Sequence, residues 1–183
     1  IEYKVYMVPG LLGMIALFNG MQGSLSMVYD REMGVMRLLL TAPLGRGWLL
    51  AFKLLAGTAL SVLQMAVFLA IAWGFGVDFE PLHLLGALPV MVLAAALLAA
   101  LGLMLSVYVR QLENFAGTMN FVIFPMFFIS PALYPLWKLE EAGAAALHLL
   151  ARYNPFSHAV EAMRFALYGQ ANATSLLVIG AGT

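Results

Sequence analysis

Cysteine is absent from this 183-residue chain, which excludes disulfides, thiolate metal sites and a cysteine nucleophile. Charge is scarce as well: Asp, Glu, Lys and Arg make up 10% of the residues, whereas soluble domains carry roughly a quarter, and 63% are hydrophobic. A single water-soluble core cannot absorb that apolar surplus. The nine basic and nine acidic residues cancel, so nothing points to nucleic acid or another strongly charged partner. Also missing are a Gly-x-x-x-x-Gly-Lys-Ser/Thr phosphate loop, a His-Glu-x-x-His zinc pair and a Gly-x-Ser-x-Gly nucleophile turn. These residues therefore do not hydrolyse ATP by the phosphate-loop route, and no familiar catalytic spacing is present.

What the chain does have is long apolar runs rich in Leu, Ala, Met, Val and Phe. In lipid every backbone donor and acceptor must be satisfied internally, so only helices and closed barrels span. The short alternating segments of a barrel are not seen, and the runs have helical length. Four spans are predicted: Pro9 to Val28, about Trp48 to Phe75, about Leu84 to Val109, and Phe115 to about Leu133, with Pro125 and Pro131 expected to kink or end the last. Small residues recur at four-residue spacing at Ala95 and Ala99, Gly102 and Ser106, and Gly57 and Ser61, a spacing that lets helix backbones approach closely.

Charged turns separate the spans. Tyr29-Asp30-Arg31-Glu32 closes the first, because desolvation keeps those residues out of hydrocarbon. Beyond it Met33, Met36 and Leu40 fall at helical spacing while Arg31, Glu32 and Arg37 stay polar, which predicts a short amphipathic helix at the membrane surface, broken by Pro43 and Gly45. From Tyr134 to Gln170 the chain is too polar to cross, and Asn154-Pro155 reads as a helix start with Asn capping and Pro in the first helical position. From there Phe156, Val160, Met163 and Leu167 form one apolar stripe, with His158, Glu161 and Arg164 on another face. An interfacial or re-entrant helix is expected.

Arg31, Arg37, Arg46 and Arg110 lie on one side of the four spans, with Lys53 near its edge, and the turn from Gly76 to Pro81 has no Lys or Arg. The positive-inside rule puts the first side in the cytoplasm. Ile1 then starts on the outer face without a secretory signal, and the apolar run from Leu176 is too short to cross, so a fragment is expected, with at least one membrane helix preceding it.

Two segments carry a family resemblance. Ser24-Leu25-Ser26-Met27-Val28-Tyr29-Asp30-Arg31-Glu32-Met33-Gly34-Val35-Met36-Arg37-Leu38-Leu39-Leu40-Thr41-Ala42-Pro43, with Lys53-Leu54-Leu55-Ala56 after it, resembles the permease subunits of type-2 ATP-binding-cassette (ABC) exporters. Those subunits show a small-residue helix end, then Arg-Glu, Gly, a Leu-Leu pair and Pro, then Gly-Lys at the next helix; here Phe52 replaces that second Gly. Asn154-Pro155-Phe156-Ser157-His158-Ala159-Val160-Glu161-Ala162-Met163-Arg164 is similar to the family's Asn-Pro stretch before its last helix, with Glu161 and Arg164 at the acidic and arginine positions. The two motifs stand in the family's order, and the resemblance covers nearly the whole chain.

The resemblance implies an all-α, polytopic transmembrane bundle: a single domain over residues 1–183, lacking the family's first helix and most of its last. It implies a bacterial inner-membrane subunit, not itself an enzyme, that moves a drug, lipid or glycan outward. The energy comes from Mg-ATP on a separate nucleotide-binding ATPase subunit, and a second permease copy or a homologous permease completes the channel within membrane lipid. Tyr29, Asp30, Arg31, Glu32, Gly34, Arg37, Leu40 and Pro43 are the residues it places at the coupling element, and Asn154, Pro155, Glu161 and Arg164 form the outer-face motif. No mid-span carboxylate or His marks an ion-coupled carrier, which agrees with an external energy source. Two other readings compete: an intramembrane enzyme built on His148, Arg152, His158, Glu161 and Arg164, and a scaffold that transports nothing.

Overall fold

The computed structural model describes residues 3–41, 45–77, 81–109, 111–130, 132, 151 and 153–168, without the side chains of 3–6, 39, 40, 46, 81, 82 and 116. These residues form helices α1 (Tyr3–Glu32), α2 (Val35–Thr41), α3 (Arg46–Gly74), α4 (Pro81–Tyr108), α5 (Leu112–Phe128) and α6 (Pro155–Leu167), with no strand among them. Within them Met7–Glu32, Gly47–Gly74 and His83–Tyr108 are long and apolar enough to cross a membrane. The fold is thus an all-α polytopic bundle.

Several boundaries differ from the sequence expectation, each for a local reason. The first helix begins at Tyr3 and runs through Pro9, so the proline sits inside it instead of opening it. Pro89 is likewise inside α4. Membrane helices tolerate this where neighbouring helices and local adjustments compensate the lost hydrogen bond. At the other end α1 absorbs Tyr29 to Glu32, and the expected continuous surface helix is split at Met33-Gly34, where Gly34 takes φ +75°. Glycine adopts that left-handed conformation without a Cβ clash, which ends α1 and lets α2 start in a new direction. Helix α5 has 17 residues, about 25 Å, and closes three residues after Pro125 when the Ser130 amide turns back to the Phe127 carbonyl. The rest of the expected fourth span, Pro131 apart from Ala132 included, lies outside the described residues.

Helix α1 is the hub, packing against α3, α4, α5 and α6. Its closest neighbour is α4, where Gly20 faces the Leu98 carbonyl and Gly102 faces the Gly20 carbonyl with no space for a side chain on either glycine. Ala94, Ala95, Leu98, Ala99 and Ser106 are buried along the same α4 face. The small-residue spacing in the sequence therefore marks a real seam, in which dispersion contacts between backbones replace the hydrophobic drive that lipid does not supply.

Helix α3 touches the bundle along one narrow stripe, Thr58, Ser61, Met65, Leu69 and Ala72, at helical spacing. Val62 and Phe68 flank that stripe half-buried, and many of the helix's other apolar side chains, among them Leu55, Leu63, Val67 and Trp73, are exposed, as suits lipid contact. The Thr58 and Ser61 hydroxyls donate to the carbonyls of Leu54 and Gly57 within the helix, so neither is stranded in an apolar medium. One further bond fixes the register of α3 on α1: Asn19 Nδ2 donates to Gln64 Oε1 at 2.7 Å.

Candidate functional site

Three consecutive charged residues end α1. Successive helical positions turn by about 100°, so Asp30, Arg31 and Glu32 point to three different neighbours. Each finds one. The Asp30 carboxylate pairs with Lys53 of α3, both about a fifth exposed, and the same ammonium donates to Ser26 Oγ at 3.2 Å. Arg31 Nη1 donates at 3.3 Å to the Ser106 carbonyl in the last turn of α4, where a cation suits the negative end of the helix dipole. Glu32 Oε2 accepts from the Leu112 amide at 3.1 Å.

Leu112 is the first residue of α5, and the Gln111 side chain at the capping position accepts from Asn114 Nδ2 at 3.0 Å and caps no backbone amide. A carboxylate eighty residues away thus satisfies one of the orphan donors of α5 and its positive end. Beneath this polar ring Val28, Val109 and Phe115 are buried together, with Leu25, Leu112 and Met119 packed around them. The end of α1 is therefore bonded to α3, α4 and α5 at once.

Helix α2 hangs from this clamp through Gly34 and packs mainly against α1 among the described helices. It presents Val35, Arg37 and Leu38 outward, Leu38 with 73% of its surface exposed, beside the exposed Met33 and Tyr29. Met36, expected on the same apolar face, is half-buried. Leu40 lies within α2 but its side chain is outside the described residues, as is all of Pro43.

The second motif lies toward the opposite end of the bundle. Asn154 Oδ1 accepts from the Phe156 amide at 3.0 Å and Pro155 takes the first helical position, as expected from the sequence. The same side chain donates through Nδ2 to the Met126 carbonyl in the last turn of α5, at 2.7 Å. One asparagine therefore caps the start of α6 and the end of α5 together. The stripe of Phe156, Val160, Met163 and Leu167 is buried, its first two members against Gly13 of α1, and Phe127 of α5 packs on Phe156 with ring centroids 6.2 Å apart.

His158, Glu161 and Arg164 are half-buried on the adjoining face; His148 and Arg152 lie outside the described residues. At the end of the helix, burial pushes the Tyr168 phenol above its ordinary value of 10.0 while Arg164 pulls the other way. The sequence reading took Ser106 only as a small packing residue, missed the Leu112 amide, and noted Lys53 as an edge residue and part of the family motif without pairing it with Asp30. A lone Lys inside an apolar run was the one signal that could have flagged the Asp30 pair.

A helical bundle with a charged clamp at one end, a hinged surface helix and an Asn-Pro helix start toward the other defines a class of multi-pass membrane subunit. The sequence model of the ABC-2 type transporter family matches residues 2–168. The chain belongs to that family. It is 26% identical over 172 residues to the daunorubicin resistance ABC transporter permease protein DrrB1 of Streptomyces coeruleorubidus, an alignment covering 93% of this chain and 59% of that protein. Nodulation protein J of Rhizobium leguminosarum bv. viciae is 31% identical over 99 residues, 54% of this chain and 37% of that protein. The putative transport permease ycf38 of Porphyra purpurea is 29% identical over 169 residues, 90% and 56% respectively. The chain thus spans less than two thirds of the length of these relatives. No solved structure matches it.

Proposed function

We propose that this chain is the membrane-spanning permease part of an ABC exporter, driven by Mg-ATP on a separate nucleotide-binding subunit and working beside a second permease in a bacterial inner membrane. The observation that carries this reading is the clamp, because it turns a surface helix into a lever. A partner that pushes on α2 moves the end of α1, and the bonds from Asp30, Arg31 and Glu32 pass that motion to α3, α4 and α5 together. Rigid-body shifts of packed helices are a common way to move a bundle between two states.

In this reading the residues of the coupling element divide the work. Tyr29, Met33, Arg37 and Leu38 offer the surface that receives the partner, on a face lying on the cytoplasmic side by the distribution of basic residues. Asp30, Arg31 and Glu32 reach inward and transmit. Gly34 supplies the corner between the two sets, and Leu40 and Pro43 continue the receiving segment. Toward the outer end Asn154 and Pro155 hold α6 against α5, and Glu161 and Arg164 sit on its less buried face.

An amphiphile is the class of cargo this reading assigns, in keeping with the apolar interior and with the drug-resistance permease among the relatives. The test is co-reconstitution of the full-length permease and its nucleotide-binding subunit in liposomes. ATP-driven movement of an amphiphile, abolished by Leu38→Glu with the permease still inserted, is the expected result. Transport that continues with Leu38→Glu would refute the assignment of α2.

A further inference from the structure

A cavity of about 600 Å³ opens between α1, α3 and α5, and its lining is unusual for its depth. Three amide side chains face it, Asn19 and Gln22 from α1 and Gln64 from α3, among Phe18, Phe68 and Met119. Their depth follows from the register of the two helices. Asp30 pairs with Lys53 at the membrane surface; eleven residues back along α1 lies Asn19, and eleven residues on along α3 lies Gln64, its partner. Eleven residues are about 16 Å of helix, which is half of a hydrocarbon core of about 30 Å. The amides therefore sit near the bilayer midplane.

Packing between α1 and α3 explains only part of this cluster. Asn19 Nδ2 donates to Gln64 Oε1 and to the Ile15 carbonyl at 2.9 Å, which uses both of its N–H groups. Left over are Asn19 Oδ1, the Gln64 amino group and the whole Gln22 amide, none with a hydrogen-bond partner among the described residues. Polar groups left unpaired in an apolar medium are costly, and a leucine at Gln22 would avoid that cost. Among the described residues no ionisable side chain lines the cavity, so a charged group entering it would lose its hydration with no counter-charge from them to meet it.

We propose that Asn19, Gln22 and Gln64 form a hydrogen-bonding subsite for an uncharged polar group of the transported amphiphile, a hydroxyl, carbonyl or amide. Phe18, Phe68 and Met119 take its apolar body. The donors left on Gln64 and Gln22 and the acceptors left on Asn19 and Gln22 match such a group, and the mixed aromatic and thioether wall accepts flat or flexible hydrocarbon alike. The inference rests on the permease reading for its cargo and on the cavity for its chemistry.

The experiment uses the full-length permease with its nucleotide-binding subunit in lipid nanodiscs, and two probes of nearly equal size, 1-pyrenebutanol and 1-butylpyrene, which differ by one hydroxyl. Binding of each is measured by pyrene fluorescence against empty nanodiscs. Wild type is expected to bind the alcohol saturably and more tightly than the hydrocarbon. In Gln22→Leu and in Gln64→Leu that preference is expected to fall about fivefold, the worth of one hydrogen bond.

Gln22→Leu breaks no bond among the described residues, so its result stands even where Gln64→Leu disturbs the Asn19 contact. Absence of a preference for the alcohol in wild type, or an unchanged preference in Gln22→Leu, overturns the subsite. So does a quantitative Gln22→Cys disulfide between two permease copies that the alcohol does not slow, since the face would then be a seam between permeases. ATP-driven movement of the alcohol is followed separately in liposomes. Preference lost on mutation without any such movement would retire the export reading and support the subsite.

Discussion

Replacing Glu32 by alanine removes the carboxylate that joins α1 to α5 and nothing else that the described residues rely on. The Leu112 amide loses its partner, and losing a capping acceptor costs about 1 kcal/mol. The lost charge at the helix N-terminus adds a few tenths of a kcal/mol, since Glu32 is exposed and screened by salt. The total, about 1 to 1.5 kcal/mol, is small beside the roughly 5 to 15 kcal/mol that holds a domain together. Glu32→Ala is therefore expected to insert and fold.

The loss in function is expected to be larger than the loss in stability, because α5 then loses its polar bond to the lever and keeps only the apolar contacts around Val28 and Phe115, while α3 and α4 keep their polar bonds. The assay is ATP hydrolysis and amphiphile movement measured together on the full-length complex in liposomes. Hydrolysis should continue, co-purification with the nucleotide-binding subunit should be unchanged, and movement per ATP should fall severalfold. Glu32→Gln, which keeps an acceptor oxygen without the charge, should fall between. Unaltered movement per ATP in Glu32→Ala would refute the transmission role of this bond. Weakened co-purification would instead make Glu32 part of the receiving surface.

Other expectations test separate parts of the account. Gly102→Ala puts a methyl group against the Gly20 backbone, which cannot move aside as a side chain can, so destabilisation of at least about 1 to 3 kcal/mol and a clear fall in thermal stability are expected; an unchanged melting temperature would deny the α1 and α4 seam. Asn154→Ala removes a cap from α6 and the donor to the Met126 carbonyl, for a loss of about 2 kcal/mol read in the same melt, and no shift would show that these bonds are not made in the membrane. In whole cells a cysteine placed at Gly45 should be labelled only from the cytoplasm and one placed at Asp78 only from outside; the opposite pattern would invert the orientation.

The long spans were legible because length and apolarity alone determine them: α3 and α4 begin and end within about three residues of where the hydropathy put them. The Asn154 cap was equally plain, since Asn followed by Pro carries its own geometry. Harder to see was the corner at Gly34, for a helical pattern of Met and Leu continues through it and only the backbone angle reveals the break. Of the partners of Asp30, Arg31 and Glu32 only Lys53 left a signal, as a lone lysine in an apolar run. It lies 23 residues away, and the other two are backbone groups 75 and 80 residues away, which have no side-chain identity to read. Asn19, Gln22 and Gln64 escaped notice for another reason: attention to charge at mid-depth passes over neutral amides, although three of them within apolar spans are just as exceptional there.

The central claim, that α2 receives a nucleotide-binding subunit, is tested most directly by a photo-reactive amino acid at position 38 of the full-length permease, co-expressed with that subunit and illuminated in its own membrane. The account predicts one major adduct, identified by mass spectrometry as the nucleotide-binding subunit, formed from position 38 and not from the lipid-facing position 63 on α3. An adduct to lipid alone, or equal adducts from both positions, would contradict it.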